Sequence, residues 1–334
     1  MKICVIGCGG IAFSSHGPAL SRYAASHPGV DLAACCDVQL ERAEDFRASF
    51  GFRRTYHDYT EMVRTEHPQV VCLLVPPQFT CSIACDLLSH RVPLFMEKPP
   101  GLTQAEVHRI AQAASESGTP HLVAFNRRFT PLVQRFRSIF IDQFSPQDIQ
   151  YIDYQMIRAG RTDPDFSTTA VHGIDAVSWL AGSPYSQVAC RYQNFPALGE
   201  TIANFFLDGL LDSGALAHLA FCPVSGALTE RAAIYLQDHT FYLELPLRNG
   251  NDGLGRLVHV EKGKRVLDIT GPEAAGGEED WLLNGFYTEH EAFFNALQLG
   301  ERPPAGIETA VQSVAIMEAV RARKAFWSQD EFEI

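Results

Sequence analysis

Apolar and polar positions fall into blocks along the first 125 residues. Nearly unbroken apolar runs at 3–6, 30–37, 70–75, 94–96 and 121–125 are separated by stretches with helical spacing. Runs of that kind predict parallel strands buried on both faces. The stretch 41–50 places Ala43, Phe46 and Phe50 on one helical face, and Gly51 follows as a stop. A second helix is expected over 82–90. A third is announced by the capping box Thr103-Gln-Ala-Glu106 and ends near Gly118. Five or six strands alternating with helices specify an open doubly wound sheet. The polar motifs follow the C-terminal ends of the strands, where such sheets bind ligands.

Beyond about residue 125 the rhythm changes. A helix is expected over 131–140, with Thr130 as N-cap and Pro131 at its first position. Strand-like runs then follow one another at 151–157, 188–193, 202–207, 216–221, 232–236, 241–245, 256–260 and 265–269, interrupted by one helix near 170–180. A polar loop at 276–280 and helices over 284–298 and 306–325 close the chain. With 334 residues, more than one typical core, two domains are expected. The expectation is α/β: a Rossmann domain over 1–125, then an α+β domain over 126–334 with a large, mostly antiparallel open sheet.

Composition narrows the partners. Hydrophobic residues make up 46% and charged residues 20%, as in ordinary globular domains. A net charge of -12 with no basic patch argues against nucleic acid and anionic membranes. No apolar run approaches the ~18–20 residues of a membrane span. The first strand is too short for a signal-peptide core. Nine cysteines, several inside strands, read as small buried hydrophobes in a reducing compartment, so a cytoplasmic location is expected. Cys81 and Cys85 lack a second pair at ligand spacing, and no metal is expected.

The chemistry starts at Met1–Ala12, MKICVIGCGGIA. Gly7, Gly9 and Ala12 fit G-x-G-x-x-A, with Gly10 extra: a tight turn, a close backbone approach to pyrophosphate, and a small residue for helix packing. The helix beginning at Ile11 and Ala12 offers free N–H groups and a positive dipole end to phosphates. Gly17 and Pro18 should kink or restart it. Asp37, ending the second strand, suits the hydroxyls of an adenosine ribose and repels a 2′-phosphate, which favours NAD. Arg42 nearby keeps NADP open. Val75, Pro76 and Pro77 end the next strand where a ligand crevice opens.

Together with Glu97-Lys98-Pro99, Asn126-Arg127-Arg128-Phe129, Val171-His172-Gly173-Ile174-Asp175 and Gly285-Phe286-Tyr287, these motifs resemble those of the glucose-fructose oxidoreductase / inositol dehydrogenase / rhizopine-catabolism (Gfo/Idh/MocA) family over nearly the whole chain. The resemblance implies NAD(P)-dependent hydride transfer to or from a sugar, polyol or cyclitol. It also implies a nucleotide domain, with Glu97, Lys98 and Asn126 among the cofactor-binding residues, and a second domain whose sheet makes a homodimer or homotetramer. The lysine beside the reacting hydroxyl would be Lys98, and a Lys or His can move that proton. His172 matches the family's histidine. Four residues earlier, where the family usually has Asp, stands Thr168, which cannot act as a carboxylate base. Asp163 and Asp165 are the nearby acids that could replace it. Thr80 likewise replaces a frequent histidine.

Arg127, Arg158, Thr168 and Tyr287 are candidate substrate contacts, because sugar hydroxyls call for donors on a mostly apolar wall. Arg158 with Arg161 would suit a carboxylated sugar. Two other readings stay open. One is a cofactor-binding regulator without turnover; the other is a reductase of a dihydrodiol, a tetrapyrrole or an aldehyde.

Overall fold

Ile3, Cys4, Val5 and Ile6 are all buried in β1 (Lys2–Ile6), the central strand of the first sheet in the computed structural model, which describes residues 1–332. Beside it lie β2 (Asp31–Cys36) and β3 (Arg54–Tyr56) on one side. On the other lie β4 (Val70–Leu73), β5 (Leu94–Glu97) and β6 (His121–Ala124). All pairings are parallel, in the order β3-β2-β1-β4-β5-β6. The order reverses between β1 and β4, the switch point beyond whose strand ends open sheets of this kind bind ligands.

Strand β3 and the helix Tyr59–Glu66 are absent from the sequence reading. Arg54-Thr55-Tyr56 contains no apolar run; its place comes from pairing with β2 and from Glu66. The Glu66 carboxylate accepts hydrogen bonds from Arg54 and Tyr56, each at 2.8 Å. Asp58 caps the helix by accepting the N–H groups of Thr60 and Glu61. The helix expected over 82–90 begins earlier, as Pro77–Ser89, because Pro77 fits the first turn, where no N–H is needed.

The interruption at Gly17-Pro18 resolves into a wider turn. Residues Ala12–His16 form a π turn, closed by the Gly17 N–H on the Ala12 carbonyl, and the α-helix Gly17–Ser26 continues with Pro18 in its first turn. A Cβ on Gly17 would stand 2.4 Å from the Phe50 ring, so glycine permits that close approach.

The second sheet comprises β7 (Ile149–Ala159), β8 (Tyr185–Asn194), β9 (Ala203–Leu211), β10 (Leu216–Ser225), β11 (Thr229–Leu236), β12 (His239–Glu244), β13 (Arg256–Glu261), β14 (Lys264–Thr270) and β15 (Phe326–Ser328). Their order is β14-β13-β12-β11-β7-β10-β9-β8-β15. All pairs are antiparallel except β7 with β10. One face carries the core. Ile152, Tyr154, Phe221 and Phe241 of the sheet are buried in one cluster with Phe136, Ile174 and Ile316 of the helices Pro131–Gln143, Ser167–Ala181 and Val311–Arg321. The helix expected over 306–325 is shorter, and strand β15 follows it. The helix stops at Arg321, Arg323 adopts a φ of 56°, and the chain turns to pair with β8. Short helices, Gly271–Ala275 and Asp280–Leu283, flank the expected polar loop.

The chain folds as two units. The first holds Met1–Asn126 and Gly285–Val311, including the helix Phe286–Leu299; the second holds Arg127–Asn284 and Gln312–Ile334. A single division near residue 125 therefore omits the return of 285–311 to the first unit. No helix among the described residues is long and apolar enough to cross a membrane.

Candidate functional site

In the first unit the candidate cofactor residues gather at the C-terminal edge of the parallel sheet. Gly7, just after β1, has a φ of +94°, and a Cβ there would lie 2.5 Å from the Leu74 carbonyl oxygen. Only glycine tolerates both demands. At Gly9 and Gly10 an added Cβ would meet no protein atom within 4 Å, so this backbone is open to a ligand. Asp37 follows β2. Its carboxylate accepts the N–H of Cys8 at 2.9 Å and that of Gln39 at 2.9 Å, which locks the acid to the glycine turn. Ile11, Val38 and Phe79 are exposed apolar side chains close in sequence to Gly10, Asp37 and Pro77. They leave apolar surface exposed near the ends of these strands. The Cys8 thiol is pushed up by a hydrogen bond with Cys35 and by burial, and burial pushes Cys36 up to about 12. Both stay protonated near neutrality.

Val75 and Pro76 lead from β4 into the helix Pro77–Ser89, and buried Thr80 lies one turn in. Glu97 ends β5 and is buried; Lys98 follows it and is half-buried. The Glu97 carboxylate accepts the backbone N–H of Lys98 at 2.9 Å and is hydrogen-bonded to His16 Nε2 at 2.8 Å. Asn126, buried, follows β6. Gly7, Asp37, Val75, Lys98 and Asn126 thus follow five neighbouring strands on one edge. Tyr287 is placed elsewhere in this unit. Its ring centroid lies 6.2 Å from that of Tyr23, nearly two turns into the helix Gly17–Ser26.

The second unit holds His172, buried on the helix Ser167–Ala181. Gly173 beside it lets the helix press onto the sheet, since a Cβ would stand 2.6 Å from Tyr154 and 2.8 Å from Phe221. Thr168 lies one turn earlier and donates its hydroxyl to the Asp165 carbonyl at 3.0 Å. The acids considered as replacements have their own tasks. Asp163 accepts from Arg161 at 2.7 Å, and Asp165 accepts the Ser167 N–H at 3.0 Å at the start of the helix.

Arg127 and Arg158 converge on one acid. Glu230 of β11 is fully buried and accepts from Arg127 Nε at 3.0 Å and Nη2 at 2.9 Å, from Arg158, and from the Tyr154 hydroxyl at 2.6 Å. Burial alone would raise this carboxyl; the charges of Arg127 and Arg158 outweigh it and hold Glu230 far below the usual carboxylate range. Arg158 also donates to the Thr229 and Ile157 carbonyls, at 3.0 and 3.1 Å. Arg128 grips Asp175, with its Nε at 2.8 Å, and lies over the Trp179 ring. These arginines are therefore engaged in buried ion pairs. Sequence reading missed Glu230, His16 and His290 as partners. The one available signal was an acid at the head of a strand-like run in the case of Glu230.

Residues 1–125 match the Gfo/Idh/MocA family model, described as an oxidoreductase family with NAD-binding Rossmann fold. The match covers the parallel-sheet part of the chain and stops where the second unit begins. The chain is also similar to inositol 2-dehydrogenase of Salmonella typhimurium (strain LT2), with 25% identity over 215 residues, 60% of this chain and 61% of that one. The chain thus matches three fifths of that relative's length. Among solved structures, levoglucosan dehydrogenase in complex with NADH and levoglucosan superposes with a TM-score of 0.83 at 17% identity, covering 98% of this chain and 99% of that one. UDP-N-acetylglucosamine 3-dehydrogenase from Acidithiobacillus ferrooxidans gives 0.79 at 19% identity, covering 96% and 97%. At those identities the likeness is one of fold.

Proposed function

We propose that this protein is an NAD-dependent dehydrogenase acting on a secondary alcohol of a sugar, polyol or cyclitol. The carrying observation is that Lys98 directly follows β5 on the same sheet edge as the open Gly9–Gly10 backbone and Asp37. The residues present fit NAD. Gly9, Gly10 and the N–H groups after them would hold the pyrophosphate, and Asp37 would hold the adenosine ribose. NAD held there would supply the acceptor for the hydride of the carbinol carbon. The hydroxyl proton passes to the Lys98 amine as the carbonyl forms, and in the reverse direction the Lys98 ammonium returns it. His172 orients the reacting oxygen, and Thr168 contributes a neutral hydrogen bond. Arg127, Arg158 and Tyr287 keep only a supporting role, because each is packed against residues of its own unit.

The second unit supplies the contact between copies. Its strands alternate, with the core on one face and Tyr151, Leu216 and Tyr242 exposed among the outward positions. A broad sheet face bearing such side chains favours a second copy of this chain as its cover.

The test is reduction of NAD, followed at the nicotinamide absorbance, across myo-inositol, levoglucosan, aldoses, sugar acids and dihydrodiols. Turnover on a polyol or sugar that disappears in Lys98→Met supports the reading. Tight NAD binding with no turnover on any of these compounds would favour the regulator instead.

A further inference from the structure

One chain of buried polar groups ends on the backbone of the lysine just discussed. His290 Nε2 lies 2.9 Å from His16 Nδ1, His16 Nε2 lies 2.8 Å from Glu97 Oε1, and Glu97 Oε2 accepts the Lys98 N–H at 2.9 Å. The three side chains come from the π turn, the end of β5 and the helix Phe286–Leu299. Both histidines are fully buried and Glu97 is 7% exposed. Aromatic rings enclose them: His290 stacks on Phe95 at 4.2 Å, and Phe286 stands edge-on to His16 at 5.0 Å.

One arrangement of protons satisfies this chain. A carboxylate only accepts, so both the Lys98 N–H and a proton on His16 Nε2 must point at Glu97. A His16 carrying one proton then presents a lone pair at Nδ1, which His290 fills with its Nε2–H. That leaves a bare lone pair at His290 Nδ1, an atom with no hydrogen-bond partner among the described residues. Any other order fails at this atom. If His16 carried a second proton on Nδ1, His290 would have to accept at Nε2 and bury a partnerless Nδ1–H. Burial and the neighbouring His16 push His290 well below the histidine range, so it carries the single proton this order needs.

We propose that this directed chain, from His290 through His16 to Glu97, positions Lys98 for proton transfer. The inference rests on the role given to Lys98 above. Glu97, His16 and His290 are positioning residues. The last contact is to the Lys98 amide and not to its amine, so the chain orients the lysine and carries no proton to it.

Two measurements test this on the full-length protein. The first is nitrogen-15 NMR of the histidine rings, with His16 and His290 assigned by their loss in His16→Gln and His290→Gln. Both rings should be protonated at Nε2 alone; an Nδ1–H form of either, or a doubly protonated His16, overturns the proposal. The second exploits the five lysines of the sequence, Lys2, Lys98, Lys262, Lys264 and Lys324. After reductive carbon-13 methylation, Lys98 is the signal missing in Lys98→Met. Glu97→Gln presents an amide N–H to His16 and reverses every bond, ending on a buried Nδ1–H at His290.

The Lys98 signal should therefore move in Glu97→Gln while the other lysine signals stay. It should return toward its original position in Glu97→Gln/His290→Gln, whose second amide can turn to accept. On any substrate the panel yields, kcat should fall about tenfold in Glu97→Gln, the order of one lost buried hydrogen bond, and should recover in the double variant. KM and the dissociation constant for NADH should hold. A Lys98 signal indifferent to Glu97→Gln overturns the positioning role, as does a double variant no better than the single one. Turnover that survives Lys98→Met removes the lysine's role in the reaction, and leaves the histidine spectra to decide the proton order separately.

Discussion

The carboxylate of Asp37 accepts the backbone N–H of Cys8, at 2.9 Å, from inside the glycine turn. The group expected to read the ribose is thus also a strut of the loop expected to hold the pyrophosphate. Asp37→Ser should weaken NAD binding by about 10–100-fold, the range for a charged hydrogen bond, and should improve NADP relative to NAD. Titration of both nucleotides by fluorescence checks it. Equal dissociation constants for the two in the unaltered protein would refute the role of the acid.

The glycines of the turn should separate by experiment. Gly7→Ala sets a Cβ against the Leu74 carbonyl at a φ of +94°, so it should lower stability by about 1–3 kcal/mol, as strained backbone does. Gly10→Ala meets no protein atom and should leave the melting temperature unchanged while weakening NAD. Calorimetry with and without the nucleotide distinguishes the two.

Lys98→Met should reduce turnover by about 10²–10⁴-fold, the usual worth of a positioned acid or base. NAD affinity should change only a few-fold, because the glycine turn and Asp37 remain. Thr168→Ala should matter little beside His172→Ala. Steady-state kinetics with an independent binding assay gives both numbers.

Glu230 governs the acid limb of stability. Its folded pKa is depressed, so the stabilisation it brings is fully present above the ordinary carboxyl value of 4.5 and is lost as the pH falls from there toward the folded value. Glu230→Gln strands Arg127 and Arg158 and should cost about 3–5 kcal/mol at neutral pH, as breaking buried pairs does. Its stability should also respond less to acid below pH 4.5. Urea titrations at several pH values measure both effects.

The exposed sheet face makes the last forecast. Light scattering at micromolar concentration should report a dimer or tetramer, and Tyr242→Asp or Leu216→Asp should lower the mass. A monomeric unaltered protein would remove the proposed contact.

The parallel sheet was legible because its strands are local: each is an apolar run, and Gly7 and Asp37 mark their ends within the next residue or two. The second sheet could be recognised as mostly antiparallel, but not its order, since β15 joins β8 across more than a hundred residues. The ion pairs were hidden for the same reason. Arg127 and Arg158 carry the pattern of ligand-binding arginines, and only folding reveals that Glu230, far along the chain, already occupies them. Nothing periodic marks His290 as the partner of His16, and the π turn that aims His16 inward looks in sequence like a broken helix.

The return of Gly285–Val311 to the first unit bears on how the protein can be made and divided. During synthesis the nucleotide-binding unit cannot close its core when its sixth strand emerges, because Phe95 and His16 await Phe293 and His290. Nearly the whole second unit is translated first. A fragment stopped at residue 126 would expose those rings and should aggregate. Joining 285–311 to it by a short linker is the shortest route to an isolated nucleotide-binding protein.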